Sequence, residues 1–143
     1  MASVLNPYLT FNDNCEEAFN FYKSVFGGEF AVVMRFDSTP DQYTPTEDEK
    51  NKIQHISLPI GNGSMLMGSD TPAKYGKVVE GTNFSISVSA DDEADADRLY
   101  QGLSAGGKAT MPMAKMFWGS YFGMLTDKFG IQWMISFDFN RNG

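Results

Sequence analysis

Hydrophobic and polar positions alternate along residues 4–11, VLNPYLTF, with Leu5, Leu9 and Phe11 on one side and Asn6, Tyr8 and Thr10 on the other, the pattern of a half-buried strand. The period then changes. In DNCEEAFNFYKSVFGG, Ala18, Phe21, Tyr22 and Val25 recur at helical spacing, Asp13 stands at the N-cap position with Glu16 three residues on to complete a capping box, and Gly27-Gly28 ends the run. Three strands are expected next, within 29–36, 52–60 and 64–69; a polar loop, 38–51, parts the first two and a Gly-Asn-Gly turn joins the last two. The chain then runs through the same order again. NFSISVS (83–89) alternates, residues 91–107 form an amphipathic helix closed by Gly106-Gly107, and strands are expected within KATMPMAKMF, GSYFGMLT and GIQWMISF. A shift of 78 residues lays Asp13, Ala18, Phe21, Tyr22, Val25 and Gly28 on Asp91, Ala96, Leu99, Tyr100, Leu103 and Gly106; at the hairpins the shift is 67 and lays Gly63, Met67 and Ser69 on Gly130, Met134 and Ser136. The sequence is an internal repeat of two βαβββ modules, about 1–70 and about 83–143, with a linker at about 71–82.

The strand faces turned away from the helices are too polar for an ordinary core and too regular for plain solvent exposure. In GIQWMISF, Ile131, Trp133, Ile135 and Phe137 are expected under a helix, which leaves Gln132, Met134 and Ser136 opposite. By the same alternation KIQHISLPI leaves His55 and Ser57, the first strand leaves Asn6, Tyr8 and Thr10, and NFSISVS leaves Asn83, Ser85 and Ser87. Two curved sheets folding such faces inward would enclose a small-molecule cavity; the alternative is that these faces meet solvent. Near the last hairpin, MFWGSYFG (116–123) gathers Phe117, Trp118, Tyr121 and Phe122, either to stack on a planar ligand or to pack a rim and a dimer contact. With Met67 taken as the repeat counterpart of Met134, the candidate ligand-binding set is Tyr8, His55, Ser57, Met67, Ser85, Trp118, Tyr121, Gln132 and Met134. His55 is the only histidine and the one candidate for catalysis, because an imidazole can exchange a proton near neutral pH; a lone histidine without an acidic partner equally serves to orient a ligand. Cys15, in the first turn of the first helix, is placed where a helix dipole lowers a thiol pKa, or is an indifferent thiol there.

At 143 residues the chain has the length of a single domain, and one cysteine rules out an intrachain disulfide. With 11 basic against 18 acidic residues, the net charge of −7 disfavours nucleic acid and anionic membrane as partners. The acidic residues gather at 44–50 and 91–97, which read as a solvated loop and a solvated helix face. No N-terminal basic-then-apolar signal and no apolar run of about 20 residues is present, so a cytoplasmic protein is expected. Loop 38–51, acidic and poor in apolar anchors, is expected to be the most mobile segment.

Paired βαβββ modules with NPYLTFNDNCEEAFNFYKSVFGGEF at the front, HISLPIGNGSMLMGSD in the middle and FWGSYFGMLTDKFGIQWMIS at the end resemble the vicinal oxygen chelate superfamily, which includes glyoxalase I, extradiol dioxygenases and bleomycin-resistance proteins. The match is closest to the PhnB-like branch, whose members often carry the label demethylubiquinone methyltransferase-like. The resemblance implies an α+β fold in which the modules form a cupped, curved mixed sheet over 1–143 as one domain, a ligand cavity, and commonly a homodimer. Metal-dependent members hold one divalent ion with His, Gln or Glu from the first and last strands of each module. Carried over, the last-strand positions fall on Met67 and Met134 and the first-strand positions near Asn6 and on Asn83 or Ser85, where no imidazole or carboxylate stands. Hard divalent ions need oxygen or nitrogen donors, so no metal and no cofactor is expected. Thioethers suit Cu(I), which Met65, Met67, Met134 and His55 could share, but methionine also fills irregular apolar gaps, and this chain has nine. A glycine-rich strand-to-helix loop for a nucleotide-like cofactor is missing, which leaves the methyltransferase label unsupported. The expected function is a PhnB-like protein binding a small, partly apolar ligand in a metal-free cavity. The alternatives are a metal-dependent lyase, isomerase or dioxygenase of the same superfamily, and a dimeric scaffold with a vestigial cavity.

Overall fold

The two copies of the repeat fold into two four-stranded sheets, each crossed by one helix, in a computed structural model that describes residues 3–38, 45–61 and 63–139. The chain separates into two units, Met1–Val79 and Glu80–Gly143, with the boundary inside the expected linker. The first unit contains β1 (Tyr8–Phe11), α1 (Cys15–Phe26), β2 (Val32–Arg35), β3 (Ile53–Gly61) and β4 (Ser64–Asp70), in the sheet order β1-β4-β3-β2. The second contains β5 (Ile86–Ser89), α2 (Glu93–Ser104), β6 (Lys108–Lys115), β7 (Ser120–Thr126) and β8 (Gln132–Asp138), in the order β5-β8-β7-β6. In each sheet the first strand runs parallel to the last, and the other pairs are antiparallel. This is the α+β fold of paired βαβββ modules that the repeat predicts.

Both opening strands are shorter than the alternation implies. Pro7 has no N–H for the ladder; its carbonyl accepts Met67 N at 3.0 Å, and the Asn6 side chain takes Met65 N at 2.9 Å in place of a backbone partner. Residues 83–85 likewise precede β5 rather than join it.

Most apolar positions close the cores as their periods require, but Leu5, ahead of β1, is 91% exposed, and on α1 Phe19 rather than Phe21 is buried. In the first unit Leu9, Phe11, Ile56, Leu58 and Leu66 lie buried with Ala18, Phe19, Tyr22 and Val25 of α1. Each of the Leu, Ile, Phe and Val side chains among them contributes about 1.5–3 kcal/mol by leaving water. Gly68 lets α1 approach: a Cβ there would come 2.6 Å from a Phe19 ring carbon and 2.7 Å from the Leu9 carbonyl oxygen. In the second unit Trp133, Ile135 and Leu125 are buried with Ala96, Leu99 and Leu103.

The helix starts differ from expectation. α1 begins at Cys15, its N-cap Asn14 makes no side-chain cap, and Asp13 with Glu16 forms no capping box. The cap comes from the far end of β4, where Asp70 Oδ1 accepts Cys15 N at 2.9 Å. Glu16 is instead paired with Arg35, its Oε2 2.8 Å from Nη2, and this holds its carboxyl below the usual range. α2 does cap itself, Asp92 Oδ1 accepting Asp95 N at 2.7 Å. Of loop 38–51, residues 39–44 lie outside the described residues. The part from Glu47 to Glu49 is a 3-10 turn around a buried Glu49, whose carboxylate accepts Thr46 N at 3.1 Å and Ala73 N at 2.8 Å. That stretch is anchored by a carboxylate rather than by apolar contacts. No helix among the described residues is long and apolar enough to cross a membrane.

Candidate functional site

Each sheet has one face under its helix and one face open, and register assigns the side chains to them. In the first unit Ile56 pairs with Gly68 on the helix side, so the neighbouring residues His55 and Ser57 point the other way. The open face holds one cross-strand row of Val32, Ser57, Met67 and Tyr8, and beside it the pairs Met34 with His55 and Ser69 with Thr10. Tyr8 and His55 stack across this face, ring centroids 5.8 Å apart at 23°, with the Tyr8 hydroxyl 3.5 Å from His55 Nδ1. Ser57 is buried beneath the open face and its hydroxyl has no hydrogen-bond partner.

In the second unit the equivalent row is Ser87, Met134, Met124 and Met111, followed by Ser89, Ser136, Phe122 and Ala114. The pairing of Met67 with Met134 therefore survives in the structure: each sits on the last strand of its unit and faces the first strand. Their first-strand neighbours are Tyr8 and Ser87, not Asn6 and Asn83 or Ser85. The register correction follows from the shortened strands. Met111 and Met124 were not singled out from sequence; for Met111, two register irregularities in β6 break the alternation.

The remaining candidates are partly dispersed. Ser85 is half-buried just before β5. Gln132 begins β8, and its amide donates one N–H to the Phe84 carbonyl. Trp118 lies in the β6–β7 turn, its Nε1 donating to Ser120 Oγ at 2.8 Å and its ring edge-to-face with Phe122, which is on the open face. Tyr121 is not on that face. It neighbours Gly123 on the helix side, and its hydroxyl donates to Asp97 Oδ1 of α2 at 2.6 Å. Alternation could not choose between Tyr121 and Phe122, since both are aromatic. Cys15 is wholly buried, and burial followed by the nearby Asp70 and Glu16 charges pushes its thiol up; it is a core residue without thiolate character.

The hydrogen bond to Asp97 first, then burial, then the Asp97 and Glu93 charges raise the Tyr121 phenol from 10.0 to about 12. The folded protein holds this proton more tightly than the unfolded chain does. The stability so gained is present below pH 10.0 and is lost as pH rises through about 12. Ultraviolet titration of the six tyrosines should show a late phenol that returns toward 10.0 in Asp97→Asn, while Tyr100, raised by burial alone, stays late. An unchanged titration in that variant would remove the assigned cause.

As a metal centre the open faces offer the wrong donors. Their central rows carry thioethers, hydroxyls and a valine, with one imidazole beside the first row, and no group of three or more His, Cys, Asp or Glu side chains that could hold an ion occurs among the described residues. Hard divalent ions do not fit this set.

Fold, register and faces together define a class of protein. Residues 4–135 match the Glyoxalase/Bleomycin resistance protein/Dioxygenase superfamily, and the chain belongs to that superfamily. Among solved structures it is similar to protein PA1353 from Pseudomonas aeruginosa, at 36% identity and a TM-score of 0.82 over 96% of this chain and 98% of that one. It is also similar to a Bacillus cereus PhnB protein described as a putative 3-demethylubiquinone-9 3-methyltransferase, at 25% identity and a TM-score of 0.72 over 94% of this chain and 99% of that one. Protein YjdN of Escherichia coli K12 is 28% identical over 92% of this chain and 93% of its own length.

Proposed function

We propose that the protein binds a small, uncharged, partly apolar molecule on the open faces of its sheets, without a metal ion, and that it does so as a cytoplasmic homodimer. The observation that carries this reading is the pair Met67 and Met134. In a superfamily whose metal-dependent members place ligands on these strands, both positions hold soft thioethers beside uncharged neighbours, Tyr8 and Ser87. Thioethers contribute adaptable apolar contact to a bound molecule. His55 and Ser57 supply the few polar groups that would orient it. The methyltransferase description belongs to the Bacillus cereus protein; here the paired glycines follow the helices instead of opening them, which does not favour a nucleotide-like cofactor.

Three measurements test the reading. Elemental analysis after dialysis should find no stoichiometric Zn, Ni, Mn or Fe; about one metal ion per chain would favour the metal-dependent lyase, isomerase or dioxygenase instead. His55→Ala should leave the fold intact, as judged by circular dichroism, and weaken binding of a molecule captured by the protein about 5- to 100-fold. Unchanged affinity would remove His55 from the site. Light scattering that gives a monomer at micromolar concentration would remove the homodimer.

A further inference from the structure

Ser57 stands out among the described residues: it is 2% exposed, and its Oγ is the buried side-chain polar atom without a hydrogen-bond partner. Buried hydroxyls are normally satisfied, so an orphan on the open face of a sheet points to a partner that arrives from outside. What lies across that face is the Tyr8 ring. Tyr8 is on β1 and His55 on β3, with β4 between them, so the phenol must lean over β4 to stack on the imidazole. Ser57 shares the Val32, Ser57, Met67 and Tyr8 row across which the ring leans.

The phenol is held there weakly. Tyr8 is 48% exposed, and its hydroxyl contact to His55 Nδ1, at 3.5 Å, is at the outer limit of a hydrogen bond. Its geometry nevertheless sets a flat six-membered ring against the imidazole, with an oxygen directed at a ring nitrogen. The residues around it, Val32, Met34, Met67, Ser69 and Thr10, carry no charge that would balance an anion.

We infer that Tyr8 is a displaceable cover, and that the molecule replacing it is an uncharged, oxygen-bearing aromatic ring that stacks on His55 and hydrogen-bonds Ser57 Oγ. This rests on the ligand-binding reading above and names its ligand class. Displacing the cover reduces apparent affinity by the fraction of time the face is covered.

Because His55 is the only histidine, its imidazole C–H resonance can be followed directly by NMR. The probes are 4-hydroxyacetophenone, with toluene (ring without oxygen), cyclohexanol (oxygen without aromatic ring) and benzoate (charged ring) as contrasts. Tyr8→Ala, and Tyr8→Leu in case the alanine variant folds poorly, should shift the free His55 resonance and bind 4-hydroxyacetophenone about tenfold tighter than the parent protein. Ser57→Ala placed in either background should weaken that binding about tenfold and leave any weaker toluene binding unchanged. Weaker binding on loss of the Tyr8 ring, no effect of Ser57→Ala, or a preference for cyclohexanol or benzoate would overturn the inference and leave the ligand-binding reading standing. Failure of all four probes to bind any of the proteins saturably would overturn the inference, and unchanged binding of a captured molecule in His55→Ala separately tests the reading beneath it.

Discussion

Asp127→Ala should destabilise the second unit by about 3–4 kcal/mol, one of the two largest effects expected of any single substitution in this chain. Asp127 is 3% exposed at the end of β7. Its Oδ1 accepts Phe129 N at 2.8 Å and Ile131 N at 3.1 Å, which shapes the turn into β8, and its Oδ2 accepts the indole Nε1 of Trp133 at 2.9 Å. One carboxylate thus sets the turn geometry and satisfies the only polar atom of the largest core side chain. The turn amides are part-buried and can recover some hydrogen bonding with water, whereas the indole N–H cannot, and an orphaned buried donor alone costs about 1–3 kcal/mol. Asp127→Asn should be only slightly better, because its amide nitrogen would face either the indole N–H or the turn amides. Urea unfolding followed by tryptophan fluorescence measures the loss. In Trp133→Phe the indole donor is absent, so Asp127→Ala should cost at least about 1 kcal/mol less there than in the parent protein. Additivity of the two substitutions would show that the bond to Trp133 contributes nothing.

The same pair of residues shows what could and could not be read ahead of the structure. GIQWMISF declares a strand and buries Trp133 by alternation alone, and the repeat places it under a helix; these are period arguments, which depend only on neighbours along the chain. That Asp127 would reach Trp133 is a contact across a turn whose backbone is set by Asp127 itself, and "TDKFG" shows only that a turn exists. The open faces follow the same division. Alternation put His55, Ser57 and Met134 there, the repeat matched Met67 to Met134, and register agrees. It failed where periods are broken or uninformative: at Met111, after irregular pairing in β6, and at Tyr121 beside Phe122, where the deciding feature is that Gly123 lies against the Tyr100 ring. Ser57 was placed on the right face, but its missing partner is a property of packing that no pattern of residues announces.

Asp70→Ala is the counterpart in the first unit, and it should cost about 3–5 kcal/mol. Asp70 is 2% exposed; one oxygen accepts Cys15 N and the other accepts Ile53 N, each at 2.9 Å. It therefore ties together the end of β4, the start of β3 and the first turn of α1. In the second unit α2 is capped locally by Asp92, and the position 67 residues on from Asp70 is Phe137. Two copies of one repeat have solved the same problem of unpaired helix amides differently, one with a neighbour in sequence and one with a residue 55 positions away. Asn14, which matches Asp92 at the 78-residue shift, makes no such bond, so α1 has no local substitute once Asp70 is gone. Asp70→Asn offers one acceptor for two amides and should lose most of the same stability. The pH dependence separates charge from hydrogen bonding. Burial pushes the Asp70 carboxyl above its ordinary 3.8 against the pull of the Ile53 and Cys15 amides, so the folded protein holds that proton more tightly than the unfolded chain does. The resulting stability is complete below pH 3.8 and is lost as pH rises through the raised folded value. The gap between the parent protein and Asp70→Asn should accordingly be widest in acid and narrow toward neutral pH while remaining positive, since the two amides keep their acceptors only in the parent. Urea midpoints at a series of pH values measure it. A gap that widens toward neutral pH would mean that the amides outweigh burial at this carboxyl, and no gap at any pH would mean that α1 does not depend on the distant cap.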